Sequence, residues 1–144
     1  MANPREAVER LDDSGYSHEA RMGLWGAAWR MFVEAPLLGQ GFRQFAYRYF
    51  ILGPDLAPPH VAGFNDHAHN LVLHIAAEFG AIGLLVLFGA TAAWLSRVVR
   101  GACSASGWWL FATGTVLALH SMLEYPLWYL FFLGVAAIVL GLGE

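Results

Sequence analysis

Two runs of 17 residues, Phe79–Leu95 and Leu127–Gly143, contain no charged side chain. A helix rises ~1.5 Å per residue, so each run lies near the lower limit for crossing ~30 Å of hydrocarbon. A third apolar stretch, Trp108–Leu123, lies between them. With 58% hydrophobic and 13% charged residues, the chain falls outside the ordinary soluble class. The pattern predicts an all-α, polytopic membrane protein with about three transmembrane helices. Arg97 and Arg100 directly follow the first run. By the positive-inside rule that end is cytoplasmic, and the polar stretch FNDHAHNL at 64–71 faces outward.

Polarity divides the chain into three parts. Residues 1–20 hold five acids and two arginines and read as a polar N-terminal segment in a loop outside the membrane. There is no basic stretch followed by an apolar core, so this is not a signal peptide, and a membrane protein that opens this way reads as a fragment of a longer one. Residues 21–65 read as a loop with amphipathic helices. Over 20–34, Met22, Trp25, Trp29 and Phe32 recur at helical spacing, which suits a helix lying at an interface with Trp25 and Trp29 as anchors. Pro36–Gly41 is a glycine-punctuated turn, FRQFAYRYF from Phe42 is a short interfacial helix, and Gly53–Gly63 is loop. Residues 66–143 form the membrane part, whose first helix is expected to begin near Asp66–Ala68, capped by Asn65 or Asp66, and to run to about Leu95.

Topology then gathers the polar residues. A helix leaving the cytoplasmic arginines delivers His120 and Glu124 to the outer face, where His67, His69, His74 and Glu78 already lie. Ionisable groups at membrane depth are costly and mark candidate sites. His67, His74 and Glu78 stand at i, i+7 and i+11, on one stripe, and His74 with Glu78 is also suited to a simple one-turn pair. His120 reads first as a structural histidine bonded to Glu124 or to the helix end, and Glu124 also as a cap before Pro126.

Other chemistries find less support. The His67-x-His69 pair beside Asp66 offers ligand types for a metal, but no second pair follows at a diagnostic spacing, so none is predicted. Cys103 is the single cysteine, which excludes an internal disulfide, and it sits with Ser104 at the cytoplasmic turn, away from every histidine. Gly39-Gln40-Gly41 is too short for a phosphate loop. Net charge is −3 without a lysine, so no nucleic-acid partner is expected. Arg21, Arg43 and Arg48 lie on the histidine side, where guanidinium groups suit a pyrophosphate.

Three ordered motifs resemble the O-antigen ligase and O-antigen polymerase superfamily, most closely the bacterial pilin-glycosylating protein O-oligosaccharyltransferases. They are R-x3-W-x3-W (Arg21, Trp25, Trp29) followed by PLLGQGF at Pro36–Phe42; H-N-x9-G-x2-G at His69, Asn70, Gly80 and Gly83; and HSMLEYPLWYLFFLG at His120–Gly134. They extend over nearly all of residues 21–134. The family is similar to GT-C type membrane glycosyltransferases, and full members have about a dozen membrane helices, so the chain is expected to be the C-terminal part of one.

The resemblance implies transfer of an oligosaccharide from undecaprenyl-pyrophosphate to an acceptor hydroxyl, on a pilin-like protein or the lipid A core. That would occur at the periplasmic face of the bacterial inner membrane, without a cofactor. It implies that His69 is the catalytic residue and that Arg21 is a pyrophosphate ligand, with Asn70, His120 and Glu124 supporting as motif residues, while His67, His74 and Glu78 are expected to support from the helix stripe. Two alternatives stay open: a repeat-unit polymerase whose acceptor is a sugar hydroxyl, and a truncated, non-catalytic membrane piece.

Overall fold

The structure is a computed structural model that describes residues 20–56, 65–100, 104–124 and 126–142. Among them the elements are all helical: α1 over 20–34, α2 (Phe45–Leu56), α3 (Leu71–Arg100), α4 (Ala105–Leu123), a 3-10 turn (Pro126–Trp128) and α5 (Leu130–Leu142). The expectations for residues 1–19, for Cys103 and for most of the proline-rich loop lie outside the described residues.

The helices form two layers of different character. α1, α2 and the start of α3 share an apolar core of Leu24, Ala27, Ala28, Met31, Phe45, Tyr49, Leu52, Ala68 and Ala77. The buried face of α1 is thus Leu24, Ala27, Ala28 and Met31, and the stripe of large side chains lies largely outside it. Met22 and Trp29 point outward, while Trp25 packs at the core's edge. Two adjacent alanines let α1 approach its neighbours closely, and this outweighs the larger apolar area of the tryptophan stripe. α2 also continues to Leu56, beyond the Gly53 boundary expected from sequence. Proline's fixed φ is compatible with a helix, and Pro54 lies in the last turn, so the one i→i−4 bond that its missing N–H removes is confined to the end of the helix.

α3, α4 and α5 form the second layer, with α3 against α4 and α4 against α5. Their outer faces expose Leu85, Phe131, Leu130 and many other large apolar side chains, as suits a lipid-facing surface. α3 is the one helix among the described residues that is both long and apolar enough to cross a membrane, and Leu130–Gly141 is a shorter apolar helix. α4 has 19 residues, but Thr113, Thr115, His120 and Ser121 dilute its apolar character. α3 runs on to Arg100, one turn past the expected end.

α3 is broken at Gly80 (φ 63°, ψ −156°), and the break is filled by another part of the chain. In a continuous helix the N–H groups of Ala81 and Ile82 would bond to the carbonyls of Ala77 and Glu78. Here Ala81 N–H donates to Pro36 O (2.8 Å) and Ile82 N–H to Leu37 O (3.2 Å). The released carbonyls of Ala77 and Glu78 accept from the N–H groups of Gln40 (2.8 Å) and Gly41 (2.9 Å). The turn at 36–41 is therefore clasped into α3 by four main-chain bonds. Gln40 Nε2 adds a bond to Met31 O (2.8 Å), which ties the clasp to α1. The 20 residues from Ala81 to Arg100 remain for the bilayer, about 30 Å of helix.

The helix also begins later than the sequence suggested. Asn70, not Asn65 or Asp66, supplies the cap: its Oδ1 accepts from Leu73 N–H (3.1 Å). The later start leaves residues 65–70 outside the helix and frees His67 and His69 from helical spacing. Replacing Asn70 with alanine leaves that amide uncapped, and the expected loss is about 1 kcal/mol, read as a lowered midpoint of thermal unfolding in detergent.

Candidate functional site

Glu124 is the centre of one polar cluster. α4 stops at Leu123, and Pro126 follows two residues beyond the cap, so Glu124 takes extended geometry (φ −141°, ψ −170°) with its N–H donating to His120 O (2.9 Å). The capping role read from sequence is present in the backbone, and the side chain does more. One carboxylate oxygen accepts from Arg21 Nη2 on α1 (2.9 Å), and the other is bonded to His69 Nδ1 (2.9 Å). Helix α1, the segment before α3 and the end of α4 meet at this carboxylate. Glu124 and Arg21 are each about 40% exposed, so this is a hydrated cluster, not a sealed one.

His69 occupies the residue before the Asn70 cap with φ 49°, in the left-handed region that non-glycine residues seldom adopt. That turn of the chain points its ring at Glu124. An ionised Glu124 accepts from Nδ1–H, which makes Nε2 the acceptor nitrogen of the ring. The arrangement gives one oriented base and, beside it, a guanidinium whose other N–H groups can meet an anion.

A second cluster lies on the far side of His67. The His67 and His74 rings stack with centroids 5.4 Å apart, and Asp66 Oδ1 bonds to His67 Nδ1 at 2.6 Å. His74 Nε2 stands 3.7 Å from Glu78 Oε2, so the one-turn pair expected from spacing is present at long range. Glu78 is 3% exposed, and its Oε1 accepts from Phe45 N–H (3.1 Å), the first amide of α2. A buried carboxylate is tolerated there because a helix N-terminus and an imidazole face it. These residues border a cavity of about 410 Å³ that Phe42 and Arg43 complete.

The remaining candidates stand apart. Arg48 donates to Glu34 Oε2 (2.7 Å), so Arg21, Arg43 and Arg48 have three different surroundings. The His120 ring is exposed and meets Phe132 edge-on at 5.5 Å, while only its carbonyl reaches Glu124. Among the described residues no three His, Cys, Asp or Glu side chains are grouped as metal ligands. Sequence reasoning did not single out Phe42 or Asp66 as cavity walls; the proximity of Phe42 to the PLLGQG turn was the available signal.

Two family models match the chain. One, described as O-antigen ligase, matches residues 2–88; the other, described as virulence factor membrane-bound polymerase, C-terminal, matches residues 108–144. Neither a curated protein nor a solved structure matches it.

Proposed function

The chain belongs to the O-antigen ligase family, and we propose on that footing that its Arg21–Glu124–His69 cluster transfers an oligosaccharide from undecaprenyl-pyrophosphate to an acceptor hydroxyl. The observation that carries this reading is the single carboxylate holding both an imidazole and a guanidinium, at 2.9 Å each. Glycosyl transfer needs those two functions side by side. His69 Nε2 orients the acceptor hydroxyl and takes its proton as the oxygen bonds to the anomeric carbon. The bond from that carbon to pyrophosphate breaks, and Arg21 stabilises the negative charge that collects on the leaving group. Glu124 is a positioning residue: it fixes the ring nitrogen that faces the acceptor and keeps Arg21 within reach.

The site lies at the end of α3 opposite Arg97 and Arg100, and in a bacterial inner membrane with those arginines inside it faces the periplasm. The match of residues 108–144 to a polymerase C-terminal model favours one second reading, in which the acceptor is a sugar of a growing polysaccharide. Supplying labelled lipid-linked glycan to the protein in membranes, together with a pilin-like protein, lipid A core or polysaccharide, separates these by which product gains label. Glu124→Gln is expected to slow transfer on the order of ten- to hundredfold, with donor KM changing less than kcat. Full activity of that variant removes the cluster from the mechanism, and label in none of the acceptors removes the reaction.

A further inference from the structure

The 410 Å³ cavity beside the His69 cluster is not used by the mechanism above, and we propose that it binds a sugar ring of the glycan undergoing transfer. This rests on the proposed function, which supplies the glycan. The first support is chemical. The floor is a buried carboxylate, Glu78, and two stacked imidazoles, His67 and His74; the rim is Asp66, Arg43 and the exposed ring of Phe42. Sugar hydroxyls both donate and accept, so they match a wall that combines carboxylate acceptors, the Arg43 guanidinium donor and imidazole nitrogens that donate or accept according to tautomer. The C–H face of a pyranose suits an aromatic edge. A pyrophosphate would meet the two carboxylates Asp66 and Glu78 here, against the single guanidinium of Arg43.

The second support is position. A narrow space lined by His69, Asn70 and Glu124 is also bordered by His67 and His74, which are walls of the large cavity. One layer of side chain therefore separates the cavity from the proposed base, the spacing expected for a sugar next to the bond that reacts. The size agrees as well, since small-ligand pockets run from about 300 to 1,000 Å³. The cavity is also held rigid from beneath. Glu78 is pinned by Phe45 N–H on α2, and its carbonyl takes part in the clasp at Gly80.

The probe is free oligosaccharide released by mild acid from the cell's own lipid-linked pool, with inorganic pyrophosphate as the competing ligand. Binding to the purified protein in nanodiscs is followed by saturation-transfer NMR, with no requirement for turnover. Phe42→Ala and Asp66→Asn alter exposed side chains outside the apolar core, so the variants are expected to fold. Each is expected to weaken glycan binding about tenfold, whereas His69→Asn, expected to slow transfer at least about a hundredfold, leaves glycan binding in place. In turnover, a rise in KM for donor places the donor's sugar in the cavity, and a rise in KM for acceptor places the acceptor's there; either supports the proposal. Unchanged glycan affinity in both rim variants, or displacement of the glycan by pyrophosphate, overturns it. Glycan binding that depends on Phe42 and Asp66 in a protein with no transfer activity upholds the cavity while removing the reaction.

Discussion

His69→Asn is expected to lower the rate of glycan transfer at least about a hundredfold, while the protein unfolds at the same temperature. The choice of asparagine follows from the backbone. With φ at 49°, alanine would add strain to the loss of the ring, whereas asparagine is among the residues that tolerate left-handed geometry. Its amide can still donate toward Glu124, so the bridge to Arg21 is kept and only the base is removed. General-base catalysis contributes about 10²- to 10⁴-fold, so the change raises the barrier by roughly 3–5 kcal/mol. Donor KM should change little, because the asparagine leaves Arg21 and its carboxylate in place. Turnover at the unaltered rate, measured with labelled lipid-linked glycan, removes His69 from the reaction.

That substitution also shows where the sequence was informative and where it was not. The order of polar residues and apolar runs predicted that residues 69 and 124 lie at one end of the helix pair, and topology alone is enough for that. The choice of partner is a matter of a few ångströms and depends on where α3 starts. A start at Asp66–Ala68 would have placed His69 within the first helical turn. The cap at Asn70 leaves it in a bend before the helix instead, where its own left-handed backbone redirects the ring. Asparagine and aspartate are both good caps, and the sequence offered Asn65, Asp66 and Asn70 within six positions, so local propensity did not discriminate between them. Which side of α1 faces the core was not assigned from the sequence, for a related reason. A hydrophobic stripe ranks faces by side-chain size, whereas the three-helix core selected the face with Ala27 and Ala28, whose small side chains allow close contact. The motif glycines were visible in sequence, but their function was not, because it joins two segments about 40 residues apart.

Those glycines give the largest expected effect on stability. Gly80→Ala places a Cβ 2.5 Å from the carbonyl carbon and oxygen of Leu37, both main-chain atoms that cannot rotate away, and does so at φ 63°. Gly39→Ala meets the matching obstacle from the other side, 2.4 Å from the Glu78 carbonyl carbon at φ 70°. Either substitution must push the turn at 36–41 out of the break in α3. The chain then has two poor choices. It can leave Ala77 O, Glu78 O and the N–H groups of Ala81 and Ile82 without their partners, at about 1–3 kcal/mol for each group that stays buried. Alternatively it can close α3 into a continuous helix, which pairs those groups but reorients everything before Gly80, including His74, Glu78 and the Asn70 cap. A loss on the order of 3–5 kcal/mol is expected, with transfer activity falling in parallel. Gly26→Ala serves as the control, since it lies on the exposed face of α1 with nothing within 4 Å of the added methyl group. That change should be neutral or stabilise by about 0.5–1 kcal/mol through helix propensity alone. Unfolding of the three variants in detergent, followed by tryptophan fluorescence, measures the contrast. If Gly80→Ala unfolds with Gly26→Ala and the parent protein, the clasp contributes nothing to holding the site together.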